Sequence, residues 1–273
     1  MGDGKSARLS HRRLKLLLVA QISDTHILAP ASDNPAAELR GDCLRRTVAD
    51  VNQQKTDAVI FTGDTVQHGE RQEYARLREL LAPLEAPLYL VPGNRDDKNE
   101  MRATFSDFAY LPKIGDFLHY VIEEHAVRLV AIDSTSHGER KGVFCPARQA
   151  WLEEVLSGRP DQPTLLFIHH PPFDIEGHYV GGYRRPGEAV ALADIVSRHP
   201  QVAGLICGHV HWLIQREWAG TQARIMPSVA VDLRHGIDES EAREQPIYLL
   251  HHVSNETGLV TRARMVDAAE CAK

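Results

Sequence analysis

Short apolar runs alternate with amphipathic segments through the first hundred residues, and this alternation restricts the fold more than any other feature of the chain. Leu16–Ile22 (LLLVAQI) and residues 57–61 and 88–91 read as strands, because each is short, nearly continuously apolar and closed by turn-forming residues. Between them, residues 43–51 and 70–81 carry a helical period, with Tyr74, Leu77, Leu80 and Leu81 on one face of the second. Strand, helix and strand in succession imply βαβ units with buried parallel strands. Further strands are expected at residues 117–122, 127–132, Thr164–Ile168 and Val202–Cys207, and helices at residues 146–156 and 188–198. After residue 211 the pattern changes to strands joined by turns, at 212–218, 223–226, 246–253 and 259–265. The fold class expected is α/β, as a mixed sheet or as two sheets packed face to face between helices. No repeat, low-complexity segment or linker interrupts the chain, so a single domain over residues 14–268 is expected after a disordered lead-in at residues 1–13.

With 273 residues and 43% apolar composition, the chain can bury a substantial core. Its net charge of −6, with acidic and basic residues interspersed, offers no basic stripe and disfavours polymeric nucleic acid as a partner. The basic N-terminus before Leu16 resembles a secretory leader only superficially, since its apolar part is short and runs into Ser23-Asp24-Thr25-His26 without a small-residue cleavage site. No apolar run approaches the roughly 20 residues that span a bilayer, so no membrane partner is expected. Cysteines at 43, 145, 207 and 271 form no C-x-x-C pair or dense framework, and a reduced cytoplasmic setting is the expectation.

Five polar clusters stand just after predicted strands: Asp24-Thr25-His26, Gly63-Asp64, Gly93-Asn94-Arg95-Asp96, His169-His170 and Gly208-His209-Val210-His211. Singly, each has an ordinary reading as a helix cap, a turn or a structural histidine. Together they occupy the strand ends where open α/β sheets bind ligands. Residues i and i+2 of an extended chain point to one side, so Asp24/His26 and His209/His211 are each expected to converge as a chelate. Asp24, His26, Asp64, Asn94, His169, His209 and His211 make seven candidate ligands, too many for one tetrahedral site. If one carboxylate bridges, they serve two ions, the usual arrangement for hydrolysing phosphate esters. Imidazole, carboxylate and amide oxygen without thiolate suit Fe, Mn, Zn or Co and do not choose among them.

D-x-H, GD, GN, HH and GHxH in this order resemble the calcineurin-like metallophosphoesterases, and the markers span residues 24–211. TGDTVQHGERQEYARLRELL, APLYLVPGNRDD and ARQAWLEEVL followed by LLFIHHPP are more closely similar to the bacterial branch of class III cyclic-nucleotide phosphodiesterases and glycerophosphodiesterases. The resemblance implies a four-layer αββα sandwich with a dinuclear metal centre. It assigns Asp24, His26 and His211 to one ion and Asn94, His169 and His209 to the other, with Asp64 bridging. His169 is preferred over His170 because it stands two residues before Pro171. The resemblance also implies a homo-oligomer, a dimer or larger.

The chain departs from the family at Arg95, where a histidine usually follows the asparagine and is thought to assist the leaving group. An arginine stays protonated near neutrality and cannot act as a general acid, but it can clamp a phosphate oxygen or stabilise developing charge. The implied reaction is hydrolysis of a small phosphodiester, a 3',5'-cyclic nucleotide or a glycerophosphodiester, by metal-generated hydroxide attacking phosphorus. Arg95 and Asp64 are the expected catalytic groups, with His170 the nearest candidate for proton delivery. Residues 173–186 (FDIEGHYVGGYRRP) are expected to overhang the cleft, with Arg184 and Arg185 toward phosphate, Tyr179 and Tyr183 placed to stack on a base, and His178 a further substrate contact. The alternatives are a phosphomonoesterase or pyrophosphohydrolase on the same centre, or a catalytically silent metal-binding scaffold. No G-x-S-x-G elbow, P-loop or dinucleotide fingerprint is present to anchor another chemistry.

Overall fold

A computed structural model describes residues 16–30, 32–237, 244–254 and 256–266, so the expected lead-in and the C-terminal limit at residue 268 lie outside the described residues. In chain order the first half comprises β1 (Leu16–Ile22), α1 (Ala36–Gln54), β2 (Ala58–Phe61), α2 (Arg71–Leu81), β3 (Leu88–Leu90), α3 (Lys98–Thr104), β4 (Tyr120–Ile122) and β5 (Arg128–Ile132). The second half comprises α4 (Pro146–Ser157), β6 (Thr164–Ile168), α5 (Pro186–Ser197), β7 (Val202–Cys207), β8 (Ile214–Trp218), β9 (Thr221–Ile225), β10 (Ile247–Ser254) and β11 (Gly258–Met265).

The strands form two mixed sheets, one in the order β11-β10-β1-β2-β3 and one in the order β4-β5-β6-β7-β9-β8. β1, β2 and β3 run parallel, as do β5, β6, β7 and β9, while β10, β11, β4 and β8 pair antiparallel at the flanks. The central strands β2 (AVIF) and β6 (TLLFI) are buried throughout, as strands covered on both faces require. The outer strands β8 and β11 instead expose much of their length. One apolar cluster runs from Leu44, Val48 and Leu77 on α1 and α2 through Ile60 and Phe61 to Leu165, Phe167 and Ile206 on the second sheet. A second cluster packs Leu152, Leu156, Leu192 and Val196 of α4 and α5 on the far face of that sheet, against Leu166 and Ile168. The result is the αββα sandwich, with the parallel strands delivering their carboxyl ends to one rim.

Two local differences from the sequence expectation have physical causes. α3 is unanticipated because seven residues carry too little periodicity; it is started by Asp97, whose side chain accepts from the amides of Asn99 and Glu100. The strand expected over residues 117–122 shortens to Tyr120–Ile122 because the buried Asp133 carboxylate accepts the Leu118 amide in place of a ladder partner.

A buried polar thread crosses the sandwich interior. His251 on β10 is fully buried, 2.9 Å from Thr261 Oγ1 through Nδ1 and 2.9 Å from Gln21 Oε1 through Nε2. Gln21 donates onward to Thr62 Oγ1 and to the Cys207 carbonyl. Burial, reinforced by Arg224, lowers the His251 pKa from 6.5 to about 3. The unfolded chain therefore takes up this proton first as pH falls. Stability from the neutral ring is fully present above pH 6.5 and is lost as pH drops toward 3. Urea unfolding at pH 7 and pH 5 should show the wild type losing on the order of 2 kcal/mol more than His251→Gln. Equal losses would show that His251 does not carry this linkage.

Candidate metal centre

Among the described residues, seven non-glycine residues have left-handed φ, and five of them are candidate ligands: Asp24 (53°), His26 (45°), Asp64 (48°), His209 (75°) and His211 (61°). This corrects the extended-chain expectation: Asp24 and His26 do converge, but through left-handed backbone, whereas His209 and His211 turn apart, His209 toward His169 and His211 toward Asp24 and His26. Each such residue costs on the order of 1–3 kcal/mol and persists only where its surroundings over-determine it. Here the loops brace one another, with Asp24 N donating to Gly63 O at 3.0 Å, His26 N to Asp64 O at 3.1 Å and Gly208 N to His169 O at 3.1 Å. Gly93 and Gly208 serve close approach, since a Cβ on Gly93 would lie 2.1 Å from Asp64 N and one on Gly208 2.1 Å from Ser23 Oγ.

The side-chain donors form two groups with Asp64 between them. His211 Nε2 lies 3.3 Å from Asp24 Oδ1 and 3.3 Å from His26 Nε2. His169 Nε2 lies 3.2 Å from Asn94 Oδ1 and 3.2 Å from His209 Nδ1. Asp64 directs Oδ2 toward His26 Nε2 (3.6 Å) and Oδ1 toward His169 Nε2 (3.5 Å).

The ring protons are committed elsewhere. His169 Nδ1 faces the Thr62 carbonyl at 2.7 Å and His211 Nδ1 the Leu233 carbonyl at 2.9 Å; each donates there, leaving its Nε2 lone pair pointed inward. At His169 that lone pair meets amide and carboxylate oxygens that are themselves acceptors. Acceptors converging without a proton between them suit a cation, and donor separations near 3.4 Å are those of a tetrahedral shell with bonds of about 2.1 Å. The residues present therefore fit a divalent ion of the Mn, Fe, Co or Zn type.

The electrostatics agree. Burial opposes charge on Asp24, but His211, His169 and His26 outweigh it and hold the carboxyl at about 2. Asp64 is pushed up to about 7 by burial, partly countered by His169 and reinforced by Asp24 and Asp96. Burial lowers His26 to about 3, against the pull of Asp24, and drives His209 well below its ordinary value. His211 is raised, because Asp24 and the Leu233 carbonyl overcome its desolvation.

Other expected site residues fare differently. His170 is fully buried, with Nδ1 2.8 Å from Ser134 Oγ and Nε2 3.1 Å from the Arg140 carbonyl, and burial holds its pKa far below the ordinary value. With both nitrogens spent on the frame, it has no proton to deliver, which corrects that expectation. Tyr183 is also corrected: it is 3% exposed, lies in the core and donates to the His170 carbonyl at 3.1 Å. Arg184 is exposed and pairs with Glu139 at 3.6 Å. His178 is exposed and lies against Trp212, with ring centroids 4.1 Å apart. Tyr179 instead comes from that loop to the site, its ring edge-on to His209 at 5.4 Å.

The Arg95 amide donates to Asp64 Oδ1 at 2.7 Å, and its guanidinium has no hydrogen-bond or ion-pair partner among the described residues. It lines a polar cleft of about 790 Å³ beside Asn94, with Lys98, Arg102, Ser136 and His137. Apart from the Gly93–Asp96 cluster, its walls come from segments that hold no motif, so nothing in their spacing announced the cleft.

Comparison with known proteins accords with this geometry. Residues 17–213 match the calcineurin-like phosphoesterase family. The chain belongs to that family. This phosphoesterase is 32% identical to the probable glycerophosphodiester phosphodiesterase GpdQ of Arcobacter nitrofigilis, over 93% of its own length and 95% of the relative's. It is 26% identical to the 3',5'-cyclic adenosine monophosphate phosphodiesterase CpdA of Escherichia coli K12, over 79% and 77% of the two chains. Its fold matches a dimetal phosphatase from Danio rerio with a TM-score of 0.62 at 14% identity, covering 92% of this chain and 99% of that one.

A Gly93→Ala variant tests the packing of the centre, because its methyl group must displace the Asp64 backbone. Titration of the metal-free protein with Mn2+ should show affinity weakened about 10- to 100-fold with far-UV circular dichroism unchanged. Wild-type affinity would show that this close approach is not required.

Proposed function

We propose that this phosphoesterase hydrolyses a small phosphodiester at a centre of two divalent metal ions. The observation that carries the reading is the Asp64 carboxylate, which turns one oxygen to each donor group. Asp24, His26 and His211 would hold one ion, and Asn94, His169 and His209 the other. When bound, such ions supply neutralisation of charge on the phosphoryl oxygens and acidification of water from a pKa of about 15.7 toward about 7.

The chain's own residues do the rest. The Asp24 carboxylate and the buried, neutral His26 and His209 imidazoles present lone pairs without a prior deprotonation, whereas Asp64, pushed up to about 7 by burial, gives up its proton as a cation binds. Arg95, which lines the cleft with its guanidinium unpaired among the described residues, binds a non-bridging or departing phosphate oxygen and stabilises charge that grows as the ester bond breaks. The proton for the leaving alkoxide comes from solvent in the cleft, which also holds His68 and His137.

The cleft favours a hydroxylated alcohol over a nucleobase. Its lining is rich in donors, and Phe117, which also lines it, already carries the Arg148 guanidinium 4.2 Å over its ring and His119 at 5.1 Å. Little aromatic face is left there for a base to stack on. Glycerophosphodiesters are therefore the preferred class, with cyclic nucleotides second.

The test is a Mn2+-supplemented panel of glycerophosphocholine, cyclic AMP, bis(p-nitrophenyl) phosphate and p-nitrophenyl phosphate. The expected kcat/KM is at least about tenfold higher for glycerophosphocholine than for cyclic AMP, one hydrogen-bonded contact being worth about that factor. Reversal of that order would contradict the substrate class, and inertness toward every diester would contradict the function. Arg95→Ala should lower kcat about 100-fold while binding the same amount of metal. Unchanged kinetics would show that Arg95 is only a neighbour of the site.

A further inference from the structure

One segment outside every motif touches only one half of the centre. Ser228 donates to the Asp24 carbonyl at 2.7 Å, and Val229 N to the Ser23 carbonyl at 3.2 Å. The Leu233 carbonyl accepts from His211 Nδ1 at 2.9 Å, and His235 N donates to the His211 carbonyl at 2.9 Å. Residues 228–235 thus orient Asp24 and fix which His211 nitrogen faces the site. The other half is braced differently, through the Thr62 carbonyl on His169 and through Asp96 on Gly93 and Thr65.

The segment is itself anchored by one side chain of α1. Arg40 is 6% exposed and donates through Nε and Nη2 to Asp232 Oδ2 at 3.0 and 2.8 Å. Its Nη1 reaches the His26 carbonyl at 3.2 Å and Gln67 Oε1 at 2.9 Å. A single guanidinium therefore joins the backbone of His26 to the loop that orients His211 and Asp24. A planar fork with five donors can hold these partners together, whereas an ammonium cannot. Left-handed His26 and His211 need such bracing, because their backbone does not hold itself in place.

We infer that Arg40 and Asp232 form a positioning pair that sets the affinity of the Asp24, His26 and His211 half for its ion and leaves the Asn94, His169 and His209 half unaffected. The inference rests on the two-ion reading above. Charge and position act in opposite directions here, which makes the role separable. If Arg40 acted only through its positive charge, removing it would tighten cation binding at the nearby half. If it positions the ligands, removing it weakens that binding.

The experiment is titration of the metal-free full chain with Mn2+, counting ions and affinities for wild type, Arg40→Gln, Arg40→Lys and Asp232→Asn. Two ions are expected for the wild type. Each variant should hold one ion as the wild type does and the other about 10- to 100-fold more weakly, the usual effect of losing a group that orients metal ligands. In an Asn94→Ala background, where the Asp24 half is the tight site, Arg40→Gln should weaken the ion that remains. Asp232 is 27% exposed, so Asp232→Asn reads the pair even if Arg40→Gln does not fold. Equal weakening of both ions, no weakening, or tighter binding by Arg40→Gln overturns the inference while the two-ion reading stands. A wild type that takes up fewer than two ions overturns that reading, and the inference with it.

Discussion

Unshared electron pairs facing one another at the rim of the sandwich are the constraint on which the remaining architecture depends. His169 gives its proton to the Thr62 carbonyl and His211 gives its own to that of Leu233, so the opposite nitrogens arrive as bases among carboxylate and amide oxygens. Such a cluster is destabilising on its own, because acceptors buried without donors lose their hydration and gain nothing in return. It is sustained by the framework around it and relieved by a cation.

The framework is specific to this task. The parallel strands of both sheets deliver their ends to one rim, and left-handed turns swing Asp24, His26, Asp64, His209 and His211 inward. Ser23, Thr62, Gln21 and His251 continue the polar contacts into the interior, so that Asp24 is joined by hydrogen bonds to a ring buried between the sheets. A fully satisfied thread of this kind fixes the relative placement of the sheets more sharply than apolar packing alone. Arg40 performs the corresponding task on the outer side of the site.

What the sequence disclosed and what it hid follow from the same physics. Residue types at strand ends were legible: Asp24, His26, Asp64, Asn94, His169, His209 and His211 are polar groups that no apolar core would place after buried strands, and they do converge. The backbone that brings them together was not legible, since left-handed aspartate and histidine defy local preference and are imposed by neighbouring loops. Tyr183 reads as a substrate contact because Gly- and Arg-rich surroundings resemble a loop over the cleft, yet its ring packs in the core and its hydroxyl braces His170. Residues 228–235 act mainly through two backbone amides and one backbone carbonyl, with one serine and one aspartate, and backbone groups leave no mark in a sequence.

The central claim is that Asp64 stands between two ions. Anomalous diffraction from crystals of the full chain grown with Mn2+ measures this most directly. The account predicts two peaks, one on each side of the Asp64 carboxylate, the first against Asp24, His26 and His211 and the second against Asn94, His169 and His209. A single peak, or metal bound away from Asp64, would contradict it.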